Sequence, residues 1–386
     1  MVAEIMNLDK PLRQLVSVRH ISALNPIPDA DAIEVATVDG WKLVVKKGEF
    51  TVGESCVYFE IDSFLPESDE RYAFLMKNGV REFEGVRGHK LRTIKLRGQV
   101  SQGLALPLKS FPEIIAQLPI SGVNPLVFTA EELAEKQAET SAQIRAMDFS
   151  EVLGIKKWEA AIPAELAGQV KGLFPSFMRK TDQERCQNLL TEIFVDNKDA
   201  RYEVTMKLDG TSVTMYHRDG EVGVCSRNLE LKVNEENAGN SLVKMLLDSG
   251  MGDALKTLGH NIAIQGELMG PGIQKNREQL KTPVFYIFDI QALDAGIYLT
   301  PVERSKMYLK LLFDFGVKES MVQHVPILHD GVTLAELGIS NVDELLNFAD
   351  GPSITHPVRE GLVFKKMDGT FSFKSISNLF LQKEKD

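Results

Sequence analysis

Apolar and polar positions alternate with a period of two through much of the first 110 residues, the pattern of half-buried β-strands. Ile33-Glu-Val-Ala-Thr-Val38 and Trp41-Lys-Leu-Val-Val45 flank Asp39-Gly40, which predicts a hairpin; Cys56–Ile61 and Lys90–Arg97 supply further alternating strands. Several short strands without a long helix point to a small closed barrel. Within Ile94-Lys95-Leu96-Arg97 the alternation predicts Lys95 and Arg97 on one face and Ile94 and Leu96 toward the core. Such a face suits a nucleic-acid backbone or plain solvent.

The pattern then changes. Residues 129–146 form a polar stretch that predicts a helix, with Thr129 as N-cap and Glu131 and Glu132 near its start. Residues 155–176 interleave Trp158, Pro163, Gly168, Gly172 and Phe174-Pro175, more aromatic than a free linker. The chain therefore reads as a barrel domain over 1–110, a helical connector over 111–174 and a second domain over 175–386.

Composition narrows the class. With 386 residues and 44% hydrophobic residues the chain can build two cores. No apolar run approaches membrane-spanning length, and the start Met1-Val-Ala-Glu-Ile-Met lacks a basic, apolar signal pattern. Three widely spaced cysteines, Cys56, Cys186 and Cys225, indicate neither a disulfide framework nor a zinc site, so a cytoplasmic location is expected. The net charge of −10 argues against a nucleic-acid partner until its distribution is considered. Residues 1–110 carry 15 cations and 15 acids, and Arg81, Arg87, Lys90, Arg92, Lys95 and Arg97 face only Glu82 and Glu84 in their segment. A basic stripe on a neutral domain can still bind phosphates.

The chemistry concentrates at Lys207-Leu208-Asp209-Gly210, behind the strand pattern Tyr202-Glu-Val-Thr-Met206. A strand that ends in a lysine and turns at Asp-Gly can aim one amine at a phosphate. That amine attacks only when burial or neighbouring positive charge drives it toward the neutral form. The alternative is an ordinary Asp-Gly hairpin. A second copy, Lys366-Met367-Asp368-Gly369, sits between two strand patterns near the end of the sequence and reads as that hairpin.

After Lys207 come, in order, Ser226-Arg227-Asn228, Gly266-Glu267-Leu268-Met269-Gly270, Phe285-Tyr-Ile-Phe-Asp289, Glu360-Gly-Leu-Val-Phe-Lys365 and Phe373-Lys374. This ordered series resembles the covalent nucleotidyltransferases: ATP-dependent DNA ligases, RNA ligases and mRNA capping enzymes. Arg179-Lys-Thr-Asp-Gln-Glu-Arg185 with Gln187-Asn188, and Asp148-Phe-Ser-Glu-Val-Leu-Gly154, extend the resemblance to the RNA ligases typified by the Deinococcus radiodurans enzyme. The resemblance implies an α+β chain: an N-terminal OB-like β-barrel, then a nucleotidyltransferase (ATP-grasp-like ligase) domain of antiparallel sheets and helices.

The resemblance also assigns roles. Lys207 attacks the α-phosphate of ATP, Asp209 orients the lysine or the water shell of a metal, and Arg227 contacts nucleotide or RNA. Glu267, as an exposed carboxylate, accepts from the ribose, while Phe288 stacks on adenine with Asp289 beside it. Glu360 holds Mg²⁺ or Mn²⁺ largely through water, and Lys365 and Lys374 neutralise phosphate. Many relatives carry a second lysine where this chain has Ser372, so Lys365 or Arg185 is the expected substitute. Arg92, Lys95 and Arg97 grip RNA. The expected enzyme is a monomeric ATP-dependent RNA ligase acting on nicked duplexes or RNA ends. Only 12 residues follow Lys374, which places the additional domain in front and favours an RNA ligase over a DNA ligase or capping enzyme. A non-catalytic RNA-binding protein with a decayed ligase domain is the reading from another class.

Overall fold

The computed structural model describes residues 14–119, 130–159 and 168–383. The chain divides into two compact units, residues 1–160 and 161–386.

In the first unit the strand Ser55–Phe59 pairs antiparallel with Val16–His20 and with Leu104–Pro107. Its alternation serves two cores. Val57 and Phe59 pack with Val16, Leu65, Tyr72 and Phe111, while Cys56 and Tyr58 pack with Ala36, Trp41 and Leu43. The strands Ile33–Val38 and Trp41–Lys46 pair across Asp39-Gly40, whose φ values of 49° and 83° are the left-handed pair that a two-residue hairpin turn requires. Phe111, Ile114, Phe149, Leu153 and Ile155 join the core of Val57 and Phe59, so these residues group with the strands ahead of them. A helix spans Ala130–Arg145; Thr129 and Pro163 lie outside the described residues.

The segment 90–97 departs from its expected strand. The strand Val86–Lys90 stops, and a short strand Ile94–Leu96 pairs with Gln99–Ser101. Arg97 and Gly98 form the turn between them with φ of 49° and 78°, which breaks the alternation. Leu96 is consequently 40% exposed instead of facing the core, and Arg97 stands on a turn instead of a strand face.

Among its described residues the second unit holds two sheets. In the larger, Thr211–Arg218 and Val284–Ala292 flank Ile262–Met269, and Val322–His324 adds a parallel edge to Val284–Ala292. The helices Ser241–Asp248 and Met251–Leu258 bury Leu242, Val243, Met251 and Leu255 against Val213, Met215, Ile264 and Phe285 of that sheet. In the smaller, Tyr202–Lys207 lies between Ile327–Val332 and Gly361–Lys366, which in turn pairs with Ser372–Ile376.

The helix Pro301–Phe313 begins at a capping box of Thr300 and Glu303. It carries the fully buried Arg304, which donates to Glu203 on the small sheet and, through Nε, to His324 Nε2 at 3.0 Å on the large one. One guanidinium thus ties both sheets together behind the lysine strand.

The hairpin alternative for Asp209-Gly210 fails on topology. Tyr202–Lys207 and Thr211–Arg218 belong to different sheets, so the turn carries the chain from one to the other. Gly210 is obligatory there, since an added Cβ would sit 2.4 Å from Leu268 O. The second copy is a true hairpin: Gly361–Lys366 pairs with Ser372–Ile376 across it, and Lys366 Nζ meets Asp368 at 3.0 Å.

Candidate active site

An open pocket of about 360 Å³ is lined from both sheets, with Lys207, Asp209, Glu267, Phe288, Glu360, Lys365 and Lys374 on its walls. Lys207 is the last residue of its strand and the register partner of Gly361, which brings Glu360 beside it. Nζ of Lys207 meets Glu360 Oε1 at 2.5 Å. Burial pulls this amine toward the neutral form, but Glu360, then Glu267 and Asp209, outweigh it and hold its pKa above the ordinary lysine value. Three carboxylates converge on the amine, so its resting form is the ammonium and not the neutral form that attacks.

Glu267 stands opposite Ser212 in the large sheet, and its Oε1 accepts from the Gly210 amide at 3.0 Å. It therefore braces the turn after Lys207. Burial pushes its carboxyl up to about 7, so the exposed carboxylate of the sequence reading is in fact a half-buried one. Phe288 is the extra residue of a β-bulge, where Gln265 faces Asp289 and Gly266 faces Ile287. Bulges re-aim side chains, and this one turns Phe288 into the pocket while Asp289 stays buried behind the lining. Lys365 Nζ donates to Asp289 Oδ1 at 2.5 Å and to the Phe288 carbonyl, which fixes the bulge. Burial pushes the Lys365 pKa down to about 8, against the attraction of Asp289.

Lys374 is different. Its amide donates to Glu184 O at 2.8 Å, while its ammonium has no hydrogen bond or ion pair among the described residues. Burial, then Lys207 and Arg185, push its pKa down to about 8. A desolvated cation facing a pocket beside a lysine and carboxylates suits a phosphate group.

A structure of Naegleria gruberi RNA ligase, an apo point mutant, is 43% identical over 97% of this chain and 99% of its own, with a TM-score of 0.75. The chain belongs to the RNA ligase family. The RNA ligase family model matches residues 200–377 of the ligase, and an OB-fold domain model matches residues 15–108. Two further Naegleria gruberi RNA ligase structures are similar to it over 96% of this chain and 99% of theirs, each with a TM-score of 0.73. One, at 44% identity, is described with PPi, and the other, a mutant at 43%, with ATP and Mn. No curated protein matches the chain.

Of the remaining expected residues of the ligase, Arg227 alone is part of the pocket lining. It is held by Asp182, its NH2 lying 2.7 and 2.9 Å from the two carboxylate oxygens. Arg185 lies outside the lining and forms a backbone bridge with Lys374. Arg92, Lys95 and Arg97 lie in the first unit, Arg92 and Arg97 exposed and Lys95 half-buried. The sequence reading assigned no role to Thr181, Asp182 and Gln183, all of which line the pocket. Their signal was present as the Arg179–Arg185 motif, but a short polar run does not announce its contacts. Gln274 also lines the pocket and left no trace in the sequence.

The donor set of the ligase fits a hard divalent cation. Among the described residues Oε2 of Glu360 is buried without a hydrogen-bond partner, an orphaned acceptor beside Lys207. Among the described residues no group of three His, Cys, Asp or Glu side chains could hold a metal ion by itself. The free oxygen of Glu360 suits a cation whose shell is completed by water and phosphate.

Proposed function

We propose that the ligase joins RNA 3′-OH and 5′-phosphate ends, at nicks in a duplex, by consuming ATP. The observation that carries this reading is the meeting of Lys207, Glu360 and the ammonium of Lys374 in one pocket. The neutral Lys207 amine attacks the α-phosphorus of ATP; a P–N bond forms, the bond to pyrophosphate breaks, and the amine proton leaves. An oxygen of the RNA 5′-phosphate then attacks the lysyl-AMP phosphorus and releases the lysine. The 3′-OH finally attacks the RNA-adenylate, closing the phosphodiester and expelling AMP.

Each side chain has a part in this sequence. Phe288 stacks on the adenine, beside Asp289, and Glu267 accepts from the ribose while bracing the turn that aims Lys207. Lys374 and Lys365 neutralise phosphate charge, Arg185 supports Lys374, and Arg227 exchanges Asp182 for a substrate phosphate. Glu360, with Asp209, holds Mg²⁺ or Mn²⁺, which when bound supplies positive charge to the phosphates. The relatives described with ATP and Mn and with PPi support this reading.

The finer assignments belong to the same proposal. The ligase is of the Deinococcus radiodurans type, monomeric and cytoplasmic, with Arg92, Lys95 and Arg97 gripping the RNA. Its three described cysteines are free, and no described helix is long and apolar enough to cross a membrane. The test is incubation with Mg²⁺ and ATP labelled at the α-phosphate. Covalent label on Lys207 is expected, and label absent from the wild-type protein would sink the reading.

A further inference from the structure

Gln183 sits where four pieces of the pocket meet. Its Nε2 donates to Asp289 Oδ2 at 3.1 Å, and its Oε1 accepts from Ser372 Oγ at 2.5 Å. The other oxygen of Asp289 accepts from Lys365, whose ammonium also reaches the carbonyl of the Phe288 bulge. Hydrogen bonds therefore run without a break from Ser372 through Gln183 and Asp289 to the cation on the pocket wall. A carboxylate has two oxygens and can swing; Gln183 occupies one, so the other must face Lys365.

We propose that Gln183 is a positioning residue for adenylyl transfer, acting on Lys365 through Asp289. The inference rests on the ligase reading above and adds a residue outside its assigned set. The Asp289 carboxylate can only accept, so the amide nitrogen of Gln183 must face it, and the Ser372 hydroxyl donates to the amide oxygen that remains. The two partners together fix the amide orientation, and with it the place of Lys365. The segment that carries Gln183 is itself anchored on both sides: Thr181 Oγ1 bonds Ser212 Oγ at 2.7 Å and Glu184 O accepts from the Lys374 amide. Gln183 has little freedom to respond otherwise.

The experiment measures single-turnover transfer of labelled AMP to the full-length ligase, with ATP varied. Gln183→Met, close in length but unable to hydrogen-bond, should lower the maximal rate roughly tenfold, the scale of one lost hydrogen bond to a charged group. The ATP concentration at half-maximal rate should shift by less than about twofold. Ser372→Ala, which leaves the glutamine in place, should lower the rate in the same direction. In a Lys365→Ala background, Gln183→Met should cost nothing further, because its effect travels through that lysine. An unchanged rate for Gln183→Met, or a second tenfold loss in the Lys365→Ala background, overturns the proposal. Neither result touches the ligase reading, which stands or falls on whether the wild-type protein takes up AMP.

Discussion

Nζ of Lys207 lies 2.5 Å from Oε1 of Glu360 across 153 residues of chain, because the strands ending in Lys207 and starting at Gly361 are register partners. The pairing fixes the resting state of the amine. With Glu360, Glu267 and Asp209 around it, Lys207 is held as an ammonium and cannot attack. In the proposed reaction, positive charge delivered to those carboxylates would favour the neutral amine and so couple activation of Lys207 to filling of the pocket. The first two predictions follow from this geometry.

Lys207→Ala should abolish transfer of label from the α-phosphate of ATP, whereas Lys366→Ala should leave it nearly intact. The two lysines head the same kind of tetrapeptide, but only Lys207 lines the pocket, while Lys366 is bound to Asp368 in a hairpin. Gel detection of labelled protein decides it. Survival of label in the Lys207 variant would reverse the assignment.

Glu360→Ala and Lys374→Ala should each slow adenylation by roughly two orders of magnitude, the scale of losing a charge-stabilising group at a phosphoryl-transfer site. Glu360 offers the orphaned oxygen and Lys374 the uncommitted ammonium. Quenched-flow measurement of enzyme-AMP formation tests both. Either variant adenylating at the wild-type rate would remove that residue from the chemistry.

Stability should fall in acid through His324. Burial and then Arg304 push its pKa down from 6.5 to about 4, because Nε2 accepts from the Arg304 guanidinium and must stay unprotonated. The unfolded chain takes up this proton near pH 6.5 and the folded one only near pH 4. The contribution is therefore complete above pH 6.5, is lost as pH falls toward 4, and amounts to roughly 3 kcal/mol. Urea midpoints between pH 7 and pH 4.5 should fall less steeply for His324→Gln, which keeps an acceptor but does not titrate. Parallel slopes in the two proteins would exclude this histidine as the cause.

The Asp39-Gly40 hairpin was legible because two adjacent residues needed left-handed φ and strand patterns flanked them. The same chemistry at Arg97-Gly98 went unseen, since arginine is a poor marker of a turn and the surrounding alternation continued through it. Lys207, Glu267, Glu360 and Lys374 could be found because their motifs recur in order, and the fold does bring them to one pocket. Their charge coupling could not be found. A sequence places each carboxylate along the chain, whereas the pKa of Lys207 depends on three of them meeting in space, two through strand registers. Gln183 escaped for the same reason: its partners lie 106 and 189 residues away.

The last prediction concerns the first unit. Arg92 and Arg97 are exposed and Lys95 half-buried around the short hairpin Ile94–Ser101, and none of their side chains is needed to close a core. Replacing all three with glutamine should leave adenylation of Lys207 unchanged, because every pocket residue lies in the second unit. Binding of a nicked RNA duplex should weaken, and the slope of log K against log salt should shrink by about 2 to 3, one counterion release for each lost phosphate contact. Fluorescence anisotropy at several salt concentrations measures both quantities. An unchanged slope would show that the backbone of the RNA passes elsewhere, since affinity alone can drop for many reasons but the slope counts phosphates.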